Sequence, residues 1–131
     1  MKVLIVDDSE VLVQRLRSSL DEITGLEIVG RADTVAEAEL AIRKEKPDVV
    51  ILDIRMPDGS GIDILEGLKK DPFPPIVIML TNCNHRQYRK KCLQCGARFY
   101  FDKSTEFHKV AQVMRHLMDG GFGPSEDGPG K

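Results

Sequence analysis

Tryptophan is absent from these 131 residues, and only two tyrosines and five phenylalanines are present. The core must therefore be built from aliphatic side chains. Cysteine is also scarce. Cys83, Cys92 and Cys95 cannot all pair within one chain, which favours free thiols in a reducing cytoplasm over a disulfide framework. No apolar run approaches the roughly 20 residues that span a bilayer, so no membrane association is expected. The opening Met1-Lys2-Val3-Leu4-Ile5-Val6-Asp7-Asp8 turns acidic too early for a secretory signal. The net charge of −2 gives no global electrostatic argument for nucleic acid.

What is present fits one globular domain: 41% hydrophobic and 31% charged residues, in a chain long enough to enclose a core. Strands are expected at Lys2–Val6, Glu27–Ala32, Val49–Leu52, Ile76–Leu80 and Arg98–Phe101. The central ones are nearly continuous apolar runs, as strands covered on both faces should be. The intervening segments have helical spacing. Leu12, Leu16, Leu20 and Ile23 form a stripe behind a Ser9 cap. Thr34 and Glu37 fit a capping box ahead of Val35, Ala38 and Ile42, and Pro47 closes that region. Ile64, Leu65 and Leu68 mark a third helix, ended before Pro72. Asn84 is the expected cap of a fourth, with Tyr88, Cys92 and Cys95 on one buried face and Gly96 as its stop. Ser104 is the expected cap of a fifth, with Phe107, Val110, Met114 and Leu117 inward. Five strand–helix alternations predict a doubly wound α/β domain, (βα)5, with a five-stranded parallel sheet in the flavodoxin-like order 2-1-3-4-5. The domain is expected over residues 1–118. Residues 119–131, with five glycines and two prolines, read as a disordered tail or the start of a linker.

In an open parallel sheet, ligand chemistry gathers outside the carboxyl ends of the strands. Asp7, Asp8, Asp53, Thr81 and Lys103 all fall at or within two residues of such ends. Clustered carboxylates repel unless a cation lies between them, and Mg²⁺ accepts one or two carboxylates together with phosphate oxygens. A carboxylate can also act as a nucleophile and form an aspartyl phosphate. Thr81 can donate to a phosphoryl oxygen and Lys103 can supply a point charge. Any one of these residues is ordinary at a strand end. All five together point to a metal-assisted phosphoryl site.

The motifs Val6-Asp7-Asp8, Asp53-Ile54-Arg55-Met56-Pro57-Asp58-Gly59 with Gly61, Leu80-Thr81 and Asp102-Lys103-Ser104 lie in order along Lys2 to about Met118. Over that span the chain resembles the receiver domains of two-component response regulators. The resemblance implies Asp53 as phosphoacceptor. It implies Asp7 and Asp8 as the acidic pair holding Mg²⁺, with Asp8 the more direct ligand and the Arg55 main-chain carbonyl a further one. It makes Thr81 and Lys103 the residues that bind and sense the phosphoryl group, and Tyr100 the aromatic switch that rotates inward when Thr81 moves. The implied donor is a sensor histidine kinase or phosphotransfer protein. The implied output is a partner protein or a homodimer through the fourth helix, fifth strand and fifth helix, with no nucleic acid bound by this domain itself. The domain would catalyse only its own phosphorylation and dephosphorylation.

Two alternatives stay open. One is the receiver part of a DNA-binding transcriptional regulator. The other is a phosphatase with an aspartyl-phosphate intermediate, against which position 55 is arginine rather than a second acid. Arg55 and Cys83 lie two residues beyond Asp53 and Thr81, positions that border the phosphoryl group in receivers. Arg55 is expected to slow dephosphorylation. Cys92 and Cys95, with Cys83 and His85 nearby, offer four nominal zinc ligands, but small core residues are the simpler reading. Arg86, Arg89, Lys90 and Lys91 make the fourth helix basic, which fits DNA binding, a docking patch for an acidic partner or, most simply, a solvated face.

Overall fold

The computed structural model describes residues 1–83 and 85–120. The expected Asn84 cap and most of the Gly/Pro-rich terminus lie outside the described residues. Five parallel strands form one sheet: β1 (Lys2–Val6), β2 (Glu27–Ala32), β3 (Val49–Leu52), β4 (Ile76–Thr81) and β5 (Phe99–Asp102). Their order is 2-1-3-4-5, the predicted one. Five helices connect and cover them: α1 (Glu10–Leu20), α2 (Val35–Glu45), α3 (Gly61–Leu68), α4 (Arg86–Gln94) and α5 (His108–Met118).

The period-two alternation of the strands divides the core in two. Val3, Ile5, Val49, Ile51, Ile78, Leu80, Phe99 and Phe101 face α1 and α5. Leu4, Val6, Val50, Leu52, Val77, Met79 and Tyr100 face α2, α3 and α4. β1 and β3 lie side by side, Val6 opposite Leu52. The chain leaves β1 toward one edge and β3 toward the other, so a crevice opens above their carboxyl ends.

Local signals account for the helix boundaries, with four departures from expectation. Ser9 caps α1 by accepting from the Leu12 amide, as expected, and Gly96 ends the α4 turn at φ +108°. Thr34 accepts from the Glu37 amide, but Glu37 reaches past Thr34 to the Asp33 amide, so the box does not close on itself. A complete capping box sits instead at Ser60 and Asp63, ahead of α3. Ser104 does not cap α5. Its amide and that of Thr105 donate to Asp102 Oδ1, forming a turn, and the helix starts at His108. Tyr88 is 38% exposed, so of the Tyr88, Cys92 and Cys95 stripe only the two cysteines are buried.

Candidate functional site

The β1–β3 crevice brings the strand-end acids together. Asp7 and Asp53 each follow the last residue of a central strand, and their amides donate to Ala32 and Val6 carbonyls across the sheet. Ligand oxygens of Asp7, Asp8 and Asp53 all lie within 4.8 Å of one another. Asp7 and Asp53 are buried, whereas Asp8 is exposed.

Lys103 follows β5, two strands away from β3, and reaches back across β4. Its Nζ lies 2.8 Å from Asp7 Oδ2 and 2.9 Å from Asp53 Oδ2. Its amide donates to the Thr81 carbonyl, which fixes the stem. The remaining oxygens of both acids are also bonded. Asp7 Oδ1 accepts from the Ser9 amide at 2.8 Å, and Asp53 Oδ1 from the Ile54 amide at 2.7 Å. Burial pushes the Asp7 carboxyl above its ordinary value, against the opposing effect of the Lys103 hydrogen bond. Burial pulls Lys103 down, but its hydrogen bonds to Asp7 and Asp53 outweigh this and hold the ammonium above its ordinary value. The centre is thus a dense cluster of carboxylates with one resident cation. One side, at Asp8, is open to solvent.

Thr81 ends β4 and is 1% exposed. Its Oγ1 accepts from the Cys83 amide at 3.3 Å. Tyr100 lies on the edge strand β5, yet it is only 7% exposed. Its ring packs toward α4 and its hydroxyl donates to the Cys83 carbonyl. The inward position expected only after phosphorylation is therefore already occupied. Burial of the ring among Cys83, Cys92 and Met79, plus a partner for the hydroxyl, holds it there without a phosphoryl group. Burial also pushes the Tyr100 hydroxyl pKa up.

Arg55 pairs with Ser60 in a short antiparallel ribbon, Arg55–Met56 with Gly59–Ser60, and is exposed beside the crevice. This ribbon is held by two contacts that spacing alone did not single out. Asp58 Oδ1 accepts from the Val35 amide at 2.7 Å and Oδ2 from the Ala36 amide at 3.2 Å, joining the ribbon to the start of α2. The Val35 amide is the main cause of the lowered Asp58 pKa. Gly61 packs so closely that a Cβ there would lie 2.1 Å from the Asp53 carbonyl oxygen. Asp58 and Gly61 are both in the quoted motif, but their roles emerge only from the fold. Arg31 on β2 pairs with Glu10 and, at 2.8 Å, with Asp33, forming a charged rim that no sequence signal indicated.

The zinc reading is not supported. Among the described residues the three-carboxylate group is the one cluster with metal-ligating geometry. Cys83, Cys92 and Cys95 are buried free thiols, and burial pushes the Cys92 thiol up to about 11. That disfavours the thiolate a metal would need. His85, His108 and His116 are exposed.

Residues 3–115 match the family model described as the response regulator receiver domain. The chain belongs to this receiver family. Response regulator GacA of Pseudomonas aeruginosa is 30% identical over 120 residues, covering 92% of this chain and 56% of GacA. Sensory transduction protein LytT of Bacillus anthracis is 33% identical over 115 residues, 88% of this chain and 46% of LytT. The beryllofluoride-activated NtrC4 receiver domain dimer superposes with a TM-score of 0.79 at 28% identity, over 91% of this chain and 97% of that one. The receiver spans about half the length of the curated relatives it matches. No helix among the described residues is long and apolar enough to cross a membrane.

Proposed function

We propose that Asp53 is the phosphoacceptor of this receiver, taking a phosphoryl group from the phosphohistidine of a sensor kinase or phosphotransfer protein. The supporting observation is the position of the Asp53 carboxylate, within 4.8 Å of two other acids and 2.9 Å from the Lys103 ammonium. In the transfer the donor N–P bond breaks as the Asp53 O–P bond forms, and the histidine nitrogen recovers its electron pair. The acceptor has little covalent work to do beyond holding the carboxylate in line and balancing charge. Ile54 fixes one Asp53 oxygen and Lys103 the other.

The donor set of the crevice fits a hard divalent cation, since it offers several carboxylate oxygens with one exposed edge. Asp8, Asp53 and the Arg55 carbonyl would hold Mg²⁺. Asp7 would act partly through water, as the family resemblance implies. When bound, Mg²⁺ supplies neutralisation of phosphoryl and carboxylate charge. Lys103 would turn from the Asp7 and Asp53 carboxylates to the phosphoryl oxygens, and Thr81 would donate its hydroxyl to them.

Drawing Thr81 toward the phosphoryl group would pull on the Cys83 amide, and the carbonyl of the same residue holds Tyr100. The switch would therefore pass through the Cys83 backbone to the surface of α4, β5 and α5, biasing a two-state element by a local charge. Output would run through a protein bound there or a second copy of the chain. The receiver is assigned to residues 1–118, in the cytoplasm. A second reading, an output module joined to this receiver in the same protein, is favoured by relatives about twice as long. The length of the reading frame separates the two.

Incubation with radiolabelled acetyl phosphate and Mg²⁺ tests the acceptor. A hydroxylamine-sensitive label on the wild type, absent from Asp53→Asn, is expected. Equal labelling of both would overturn the assignment.

A further inference from the structure

We infer that α4 is a docking helix for an acidic protein segment rather than half of a symmetric dimer contact. This rests on the receiver reading and adds the kind of partner its output face takes.

α4 is the least anchored helix in the domain, with Cys92 its single buried residue. It carries Arg86, Arg89, Lys90 and Lys91 and no acid, and its cap residue His85 makes no side-chain cap hydrogen bond. Arg86 and Arg89 thus sit in the turn where the helix dipole is already positive, which costs stability unless an anion lies near. Lys91 is partly matched by Glu66 of α3 at 3.5 Å. Arg89 donates to the Tyr100 carbonyl at 3.1 Å. Arg86 and Lys90 make no ion pair among the described residues. The spacing of 86, 89, 90 and 93 places the three cations and Leu93, 39% exposed, along one stripe. That is a charged edge with an apolar anchor, the form a helix or extended segment can grip.

Charge separates the possible occupants. α4 contributes four lysines and arginines and α5 two more, with no carboxylate on either helix. Two copies meeting through this face would bring like charges together. Duplex nucleic acid is also disfavoured. Its phosphates offer nothing apolar to cover the exposed Leu93, and the cleft of about 290 Å³ beside Arg86 and Arg89 is walled in part by Asp102 and Glu106. These two acids are already engaged. Asp102 accepts from the Ser104 and Thr105 amides, and Glu106 pairs with Lys109. They leave the α4 stripe itself basic. An acidic segment with an apolar side chain for Leu93 satisfies both features.

The test titrates the full chain with a synthetic amphipathic helix in which glutamates flank a leucine stripe, followed by amide NMR shifts. The same titration is run on Arg86→Glu/Lys90→Glu, with the lysine-for-glutamate peptide, and with random-sequence duplex DNA. Sedimentation of the chain alone reports self-association. The glutamate peptide should shift α4 amides and bind the double variant roughly tenfold or more weakly, and the lysine peptide should prefer the variant. Equal binding of the glutamate peptide by both proteins overturns the inference. So does tighter binding of DNA, or a concentration-dependent dimer that the same double substitution abolishes. Beryllofluoride with Mg²⁺ is added to both proteins in parallel. A response around Asp53 without peptide binding defeats this inference alone, and no response around Asp53 defeats the receiver reading beneath it.

Discussion

The Tyr100 hydroxyl donates a hydrogen bond to the Cys83 carbonyl, while the Cys83 amide donates to Thr81 Oγ1. One residue, Cys83, thus touches both proposed switch residues through the peptide groups on either side of its Cα. Tyr100→Phe removes the donor and leaves the buried carbonyl without it, at a cost of about 1–2 kcal/mol. Chemical denaturation should register that loss. Amide exchange at Cys83 should rise with it, and unchanged exchange would mean that the ring does not hold the loop.

Gly61 is the position where shape leaves least freedom. The Asp53 carbonyl oxygen would lie 2.1 Å from an added Cβ, and Leu52 Cγ at 3.2 Å. Backbone cannot yield as a flexible side chain does. Gly61→Ala should destabilise by about 2–3 kcal/mol and lower the melting temperature by roughly 10 °C. It should also disturb the Asp53 loop, read as weaker phosphorylation in fully folded protein at low temperature.

Asp58 links the ribbon after Asp53 to the first turn of α2. Its folded pKa is depressed, so its stabilising contribution is present above its ordinary pKa near 3.8 and is lost as pH falls through the folded value. Asp58→Ala should melt lower than wild type at pH 7, with faster exchange at Val35 and Ala36. The two melting curves should converge as pH falls through the depressed folded value, and a constant gap would rule out the carboxylate as the cause.

Much of this was legible beforehand because apolar runs and strand-end acids follow from a short set of rules. The sheet order and the gathering of Asp7, Asp53 and Lys103 needed only alternation and topology. The missed contacts are those where a side chain chooses between nearby amides. Glu37 takes Asp33 rather than Thr34, Ser104 joins an Asp102 turn rather than capping α5, and Asp58 reaches a helix 23 residues away in sequence. Such choices depend on loop shape, which residue spacing does not encode. The inward Tyr100 was missed for a different reason. Its burial depends on the Cys83 carbonyl, a backbone group with no signature in the sequence.

Arg55 is exposed and lies two residues beyond Asp53, which is the ground for expecting it to shadow an attacking water. Arg55→Ala should lose phosphate roughly threefold faster than wild type, a barrier change of about 0.6 kcal/mol. A release assay on the phosphorylated protein checks this, and equal or slower loss in the variant would refute it.

The central claim is that Asp53, the neighbouring acids and Lys103 form a single phosphoryl-accepting site coupled to Tyr100. Beryllofluoride with Mg²⁺, added to wild type and to Asp53→Asn and followed by amide NMR, tests it most directly. Shifts in the wild type are expected to run from Asp53 through Thr81 and Cys83 to Tyr100 and α4, with none in the variant. Identical spectra with and without beryllofluoride in the wild type, or the same shifts in Asp53→Asn, would contradict it.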